Sequence, residues 1–404
     1  MIERPRLAPM SPLDRTRLQE ALALAESVIG ITEPNPRVGC IIGSESGEVF
    51  GMGATQHAGG PHAEAMALRD AVAQARELRG ATAWVTLEPC AHHGRTPPCC
   101  DALIAAGLGR VVVAVQDPFP QVAGDGIARL RAAGIRVDMA DEAIAAAAWD
   151  LNVGFFSRVL RRRPFVRVKV ATSLDGRTRL DNGVSQWITS EAARTDGHAW
   201  RKRASAILTG VGTVLADDPR LDVRLVPGTW QPLRVVVDST LRTPASARLL
   251  AAPGKALLVA AREDSTRASA LQRLGAEVLL LPGPDGRVDL ASLMLELGRR
   301  EVNELHVEGG PVLTTALLKA GLVDEVLLYI APKLLAGQRG MVDWPPLTRL
   351  QDGLPLEWLD VKIVGPDLRA RLRPSDAVFG PDAGFQRVSA TFTDGTPPKP
   401  GVCS

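Results

Sequence analysis

The sequence predicts two consecutive α/β domains, each with helices layered on a sheet of mostly parallel strands. Three observations carry this prediction. At 404 residues the chain exceeds what one hydrophobic core ordinarily serves. Short apolar runs alternate with segments of helical periodicity through most of its length. The alternation then restarts after RVLRRRPF at 158–165, a basic stretch with a proline that reads as a solvated linker more readily than as a basic patch. The expected division is a first domain over 1–157, a second over 158–374 and a disordered tail over 375–404.

The elements follow in order. A first helix is expected over 11–30, with Ser11 as cap, Pro12 in the first turn, Asp14 completing a box-like start and Gly30 as the stop. Leu18, Ala21, Leu22, Ala25 and Ile29 repeat at helical spacing along it. VGCIIG and ATAWVTL read as buried strands, with a helix from His62 to Gly80 between them. CCDALIAAG, GIARLRAAG and Glu142–Leu151 read as helices, and RVVVAVQDP as a strand. In the second half, FVRVKVATSLDG alternates at period two, and AILTG, LRVVVDS, KALLVAA, EVLLLPG, ELHVEGG and EVLLYIAP are further strands. Beyond about 374, Pro, Gly, Ser and Thr dominate and the pattern dissolves, as in a disordered tail.

Composition narrows the class. With 46% hydrophobic and 23% charged residues the chain is an ordinary soluble globular protein. A formal net charge of +2 argues against a dedicated nucleic-acid binder or a membrane-surface protein. No apolar run of about 18 residues appears, and MIERPRLAPMSPLDR lacks the apolar core of a secretory signal, so the expected location is the cytoplasm. Five cysteines, an odd and clustered set, point to metal or catalytic use rather than a disulfide framework.

The chemistry starts at GGPHAEAMAL, where His62 precedes Glu64 at a helix start. Alone this is weak evidence for a metal site and reads more readily as an ordinary helix start. VTLEPCAHHGRTPPCCD at 85–101 changes the balance, because Cys90 follows a strand and Cys99 opens a proline-marked helix. A catalytic zinc wants three protein ligands and one open position, and His62, Cys90 and Cys99 supply them. Helix N-termini stabilise thiolates at such positions. Glu64, which is not a ligand, is then placed to carry the proton as the catalytic acid–base, as in zinc nucleobase deaminases. Against this stands the reading of both cysteines as small core residues, and Cys100 stays open as an alternative ligand to Cys99.

Nucleobase deaminases of that pattern have two residues between their cysteines, whereas eight separate Cys90 from Cys99. EPCAHHGRTPPC, PNPRVGC at 34–40 and QDPFPQVAGDG at 116–126 instead closely resemble the deaminase domain of the bifunctional riboflavin-biosynthesis deaminase–reductases. The resemblance runs from about 14 to about 373. It implies a cytidine-deaminase-like α/β/α first domain that hydrolytically deaminates 2,5-diamino-6-(phosphoribosylamino)pyrimidin-4-one. It further implies that Asn35 contacts the pyrimidine and that His92 and Arg95 lie near the ribose phosphate. An Asn amide can donate to and accept from a base edge, and cations suit an anionic substrate. Turn chemistry in PNP also explains Asn35. Two departures stand out. Thr55 occupies a position where family members often carry His, leaving His57 or a weaker contact there, and Phe119 stands where Asn is expected.

In the second half, GVGTVL at 210–215 lacks the third glycine of a dinucleotide fingerprint. VEGGP at 307–311 sits between a strand and a helix, where glycines let a backbone approach a phosphate, although a plain strand–helix turn reads the same. KVATSLDGRT, SQWIT, LTGVGTVLADDPRL and VEGGP resemble the reductase domain of the same family. This implies a dihydrofolate-reductase-like fold that reduces the ribosyl group to ribityl with hydride from NADPH. By the same resemblance, Ala171, Trp187, Thr213, Asp217, Ser239 and the loop Gly310, Pro311, Val312, Leu313 and Thr314 line the cofactor site. Ser185, Arg201, Leu221, Arg224 and Glu308 face the substrate. Arg201 and Arg224 suit phosphate clamping, although surface ion pairing reads the same, and Lys169 on its strand is placed to orient the sugar. The positioning and electrostatics come from the protein, and the hydride from the cofactor.

The expected partners are a small phosphorylated pyrimidine and further copies of the chain as a homo-oligomer, without nucleic acid or membrane. Two competing readings are a nucleic-acid base deaminase with an appended non-catalytic domain and a chain in which one half has lost catalysis. Near-neutral charge counts against the first.

Overall fold

The structure is a computed structural model, and it describes residues 10–91, 98–118, 123–375 and 379. The chain divides into two compact units, Met1–Arg161 with Phe379–Ser404, and Arg162–Val378.

The first unit runs α1 (Pro12–Ser27), β1 (Gly39–Gly43), β2 (Val49–Ala54), α2 (Ala63–Ala73), β3 (Thr82–Val85), α3 (Cys99–Ala105), β4 (Arg110–Val113), α4 (Asp125–Ala132), β5 (Arg136–Met139), α5 (Glu142–Leu151) and α6 (Val153–Arg161). Ser11 caps α1 by accepting the Asp14 N–H at 3.1 Å, and Pro12 occupies the first turn. Leu18, Ala21 and Ala25 bury their face of α1. Asp14 does more than cap. It accepts from Trp84 Nε1 at 2.7 Å and pairs with Arg110 at 2.8 Å, tying α1 to β3 and β4. Burial alone would raise its pKa, but the hydrogen bonds from Arg110, Trp84 and Ser11 outweigh that and hold it at about 2.

The sheet order is β2-β1-β3-β4-β5. Only β3, β4 and β5 run parallel, and β1 is antiparallel to both neighbours. The expected mostly parallel sheet is therefore mixed here, because β1 and β2 form a hairpin closed at Gly47, whose φ is +98°. β2 itself is an element that the periodicity did not suggest. Its Gly53 lies under α2, where a Cβ would come within 2.5 Å of the Ala63 carbonyl oxygen. α2 ends at Ala73 rather than running to Gly80. Ala75 turns left-handed at φ 54°, and the Arg76 N–H closes on the Ala71 carbonyl at 3.1 Å.

The stretch 158–165 is not a solvated linker. Arg158 and Arg161 belong to α6, Arg158 donates to the Pro34 carbonyl, and a strand begins at Phe165. Of the tail, Phe379 packs 5.6 Å from the Trp149 ring centroid and beneath Arg161 at 3.9 Å. Residues 376–378 and 380–404, most of the stretch read as disordered, lie outside the described residues.

The second unit runs β6 (Phe165–Ser173), α7 (Glu191–Arg203), β7 (Ala206–Gly210), α8 (Val211–Asp217), β8 (Leu233–Val237), α9 (Arg248–Ala251), β9 (Ala256–Ala260), α10 (Ser265–Arg273), β10 (Glu277–Leu280), α11 (Leu290–Arg299), β11 (Glu304–Val307), α12 (Pro311–Lys319), β12 (Glu325–Ala331), β13 (Leu356–Val364) and β14 (Asp367–Pro374). The strand order is β10-β9-β8-β7-β11-β6-β12-β14-β13. β10 through β12 in that order are parallel, and β14 is antiparallel to both its neighbours.

The alternation of β6 sorts its two faces. Val166, Val168 and Val170 enter a core with Leu305, Val307 and the apolar sides of α11 and α12. Arg167, Lys169 and Ala171 turn to the opposite face, where α7 lies. That face is polar and buried. Arg167 bridges Glu304 at 2.7 Å and Glu325 at 2.6 Å beneath the Trp200 ring. Among the described residues no helix is long and apolar enough to cross a membrane.

Candidate active sites

In the first unit, three chain segments meet at one point. His62 is the N-cap residue of α2, Cys90 follows β3, and Cys99 is the first residue of α3. His62 Nδ1 lies 3.7 Å from Cys90 Sγ and 3.3 Å from Cys99 Sγ. All three ligand atoms fall within 4.8 Å of one another. The Cys99 N–H donates to Cys90 Sγ at 3.3 Å, so the start of α3 faces the thiolate. Cys100 points elsewhere and donates to the Cys90 carbonyl at 2.8 Å.

The electrostatics of the cluster follow from its crowding. A hydrogen bond from Cys99 lowers the pKa of Cys90 despite its burial, and the same contact drives Cys99 up. A hydrogen bond to Cys90 raises His62. Glu64, in the first turn of α2, is buried beside them. Burial, followed by the charge on Cys90, pushes its pKa up to about 7, where a carboxyl can both take and give a proton near neutrality.

A residue the sequence reading passed over sets the loops around this cluster. Glu88 is buried and accepts the N–H groups of Asp117, Gly124 and Ile127 at 3.1–3.2 Å. It thereby fixes the segment that leads to Cys90 against the start of α4. Its signal was the acidic residue inside LEPC, an apolar context where an unpaired carboxylate would be costly. Asn35 sits in a turn, donating its N–H to the Thr32 carbonyl at 2.9 Å. The turn is anchored by Arg37, which pairs with Glu33 and with the Asn152 amide. Thr55 is buried against the Val38 carbonyl. His92, Arg95 and Phe119 lie outside the described residues.

In the second unit, the expected site residues cluster at the C-terminal ends of parallel strands. Lys169 and Ala171 are on β6, and Glu308 and Gly310 follow β11. Thr213 and Asp217 are on α8 after β7, and Ser239 follows β8. Connections from β7 run outwards to β10, whereas β12 lies on the other side of β6. Crevices at such a divergence are where open α/β sheets bind ligands.

Glu308 is the centre of the polar part. Arg201 grips it with two hydrogen bonds, Nε at 2.5 Å and Nη2 at 2.8 Å. Burial would raise Glu308, but Arg201, His306 and Lys169 outweigh it and hold the carboxyl well below the usual range. Lys169 stands beside this pair, 5.7 Å from the Tyr329 ring centroid, and burial lowers its pKa. Arg201 also donates to the Asp222 carbonyl at 2.9 Å, so most of its donors face protein groups rather than an open phosphate pocket. Arg224 differs. Its side chain is 43% exposed, with Nη1 on Asp222 at 2.5 Å, and its N–H donates to His198 Nδ1. His198, Asp222 and His306 join this cluster without having been singled out from the sequence, because a lone His or Asp carries no pattern.

The remaining residues border the crevice. Ser185 donates to Asp217 at 2.9 Å, Leu221 adopts a left-handed φ of 51°, and Arg194 lies over the exposed Trp187 ring at 4.6 Å. Gly310 caps α12, with Pro311 in the first turn and Val312 exposed. A Cβ at Gly310 would meet Thr213 Oγ1 at 3.8 Å, which brings the α8 and α12 starts together. Ser239 uses its carbonyl to hold the N–H groups of Ala261 and Arg262.

Two family models match separate stretches of the chain. The family model for the RibD C-terminal domain matches residues 164–368, and that for the cytidine and deoxycytidylate deaminase zinc-binding region matches 12–115. The riboflavin biosynthesis protein RibD of Escherichia coli is 46% identical over 368 residues, covering 88% of this chain and 98% of that protein. RibD of Aquifex aeolicus is 40% identical, covering 88% and 97%. Acinetobacter baumannii RibD superposes with a TM-score of 0.80 at 39% identity, covering 90% of this chain and 99% of its own. A Thermotoga maritima structure described as a diaminohydroxyphosphoribosylaminopyrimidine deaminase/5-amino-6-(5-phosphoribosylamino)uracil reductase gives a TM-score of 0.79 at 31% identity, covering 90% and 99%. The chain therefore belongs to the RibD family, the bifunctional deaminase–reductases of riboflavin biosynthesis.

Proposed function

We propose that the first unit deaminates 2,5-diamino-6-(phosphoribosylamino)pyrimidin-4-one and that the second reduces the ribosyl group of the product to ribityl with NADPH. The observation that carries this reading is the meeting of His62, Cys90 and Cys99 beside Glu64. The cluster suits zinc. Bonds of about 2.0 Å to nitrogen and about 2.3 Å to sulfur at tetrahedral angles set N and S about 3.5 Å apart. The His62–thiol separations of 3.3 and 3.7 Å fall on either side of that value. When bound, zinc supplies a Lewis acid that brings water towards deprotonation near neutral pH.

Glu64 then moves the protons. It takes one from the attacking water and delivers it to the departing amine, so that a C–O bond forms, a C–N bond breaks and ammonia leaves. Asn35 holds the pyrimidine edge, and His92 and Arg95 meet the phosphate. Glu88 acts as a positioning residue by fixing the loop of Cys90.

In the second unit, when bound, NADPH would supply the hydride for the ribosyl C1′, and a proton reaching the ring oxygen would complete the opened ribityl chain. Gly310, with Pro311 to Thr314, offers a helix start without a Cβ for a phosphate, and Thr213, Ser239, Asp217, Ala171 and Trp187 flank it. Ser185, Leu221 and Arg224 face the substrate, with Arg224 as the guanidinium open to its phosphate. Arg201 holds Glu308, and Glu308 with Lys169 orients the sugar hydroxyls. The same reading carries a cytoplasmic location and a homo-oligomeric assembly.

The test uses purified protein of measured zinc content, the diamino-pyrimidinone substrate and NADPH. Ammonia release followed by a fall in NADPH absorbance supports both assignments and their order. Ammonia without NADPH oxidation rejects the second assignment, and no ammonia from zinc-loaded protein rejects the first.

A further inference from the structure

The loop between α8 and β8 carries Leu221 and Arg224, which face the substrate in the proposed function. Its backbone is costly to form. Asp218 and Leu221 take left-handed φ angles of 41° and 51°, which residues with a Cβ rarely adopt. Such a backbone persists only where surrounding groups hold it. Here three side chains hold the three residues that follow Leu221. Arg201 Nη1 donates to the Asp222 carbonyl at 2.9 Å. Gln231 clasps Val223, accepting its N–H and donating to its carbonyl, each at 2.9 Å. His198 Nδ1 accepts the Arg224 N–H at 3.2 Å. Gln231 belongs to the loop itself, whereas His198 and Arg201 stand three residues apart on one face of α7.

A ring nitrogen accepts an N–H only while it carries no proton itself. His198 is buried, and its Nε2 lies 3.3 Å from Arg201 Nη1. Burial, then the positive charges of Arg201 and Arg224, hold its pKa down at about 4, against the weaker opposite pull of Glu308 and Asp222. The ring is therefore neutral near pH 7, and the hydrogen bond from Arg224 assigns its proton to Nε2. The Arg224 side chain is held as well, with Nη1 on the buried Asp222 carboxylate at 2.5 Å, yet it remains 43% exposed. Backbone and guanidinium are thus fixed before an anion arrives, which lowers the ordering cost of binding one.

We propose that His198 is a positioning residue of the second site, which holds the Arg224 backbone against α7 and so presents the Arg224 guanidinium to the substrate phosphate. The proposal rests on the reading of Arg224 as the phosphate-binding group. His198 acts on the loop rather than on the reacting carbon. Its loss therefore weakens phosphate binding equally in the ground state and the transition state, which raises KM at constant kcat.

The test is steady-state reduction of substrate deaminated beforehand, with the full-length protein, saturating NADPH and inorganic phosphate as a competing anion. His198→Phe keeps the bulk of the ring and leaves the Arg224 N–H without its acceptor. It is expected to raise KM and the phosphate inhibition constant about tenfold at nearly constant kcat. His198→Asn sets an amide oxygen close to the Nδ1 position and is expected to restore both constants. His198→Gln sets its amide near the Nε2 position and is expected to leave them raised. Arg224→Lys raises both constants too, and adding His198→Phe to it is expected to raise them little further, because both changes act through one guanidinium. A KM unchanged in His198→Phe but raised in Arg224→Lys overturns the role of His198 and keeps Arg224 at the phosphate. A KM unchanged in both overturns the Arg224 reading and the proposal with it. A fall in kcat alone in His198→Phe, or effects of the two changes that multiply, overturns the proposal. If His198→Phe does not fold, the two amides decide, and a Gln variant as good as the Asn variant overturns the proposal.

Discussion

The two units assemble their candidate sites by different routes. The first gathers His62, Glu64, Cys90 and Cys99 within a short reach of chain, at the starts of two helices and one strand exit. The second gathers Lys169, Arg201, Asp222 and Glu308 from widely separated segments, through strands that lie side by side in the sheet. Metal chemistry demands a few residue types in a fixed arrangement, so little variation is tolerated. Hydride transfer leaves the hard step to the cofactor, so the protein needs only common residues in the right places. The first site is therefore a property of motifs, and the second a property of sheet order.

Independence of the two sites is the part of this comparison easiest to break. Glu64→Gln is expected to lower ammonia release by about 10²–10⁴-fold, with zinc content unchanged and with full reduction of substrate deaminated beforehand. Loss of both activities in a folded variant would unite what the two units separate. Glu308→Gln is the mirror experiment. It leaves the partly buried Arg201 without its carboxylate, so the reductase kcat/KM is expected to fall on the order of 10²-fold while ammonia release stays constant. Retention of reductase activity would move the second site away from Glu308.

Smaller effects sharpen the contrast in how each unit is held together. Asp14→Asn is expected to cost about 1–3 kcal/mol of stability in the first unit, read by urea unfolding of its deaminase activity at pH 7. The folded pKa of Asp14 lies below that of an unfolded Asp, near 3.9. Its contribution is therefore full above about pH 4 and is lost as the pH falls through about 2. The stability difference between parent and variant should narrow over that window, and a constant difference would remove the charge from the explanation. Arg224→Lys is expected to raise the reductase KM for the phosphorylated substrate roughly tenfold at nearly constant kcat, since a lysine cannot form the paired hydrogen bonds of a guanidinium. A fall in kcat alone would place Arg224 at the reacting centre.

The elements that were legible have a common cause. Apart from the edge strand β10, the strands of the second unit from β6 to β12 are largely buried, so each is a short apolar run bounded by turns, or a clean alternation such as Val166, Val168 and Val170. α1 was legible because Ser11 and Pro12 mark its start in the chain itself. β2 was hidden by Gly51 and Gly53, which weaken a strand signal and exist because α2 presses on them. The early end of α2 was hidden because Ala75, and not a glycine, takes the left-handed turn.

By itself, the sequence determined the two α/β layers and the family through long motifs, and it singled out the candidate donor set His62, Cys90 and Cys99 with Glu64. Those features are local, and each is written in residue types that few other roles require. Tertiary structure alone decided that Arg201 closes onto Glu308, that Glu88 fixes the Cys90 loop, and that β13 ends the sheet with its apolar face open. These depend on which strands are neighbours and on the register between them, and sequence separation does not encode either quantity.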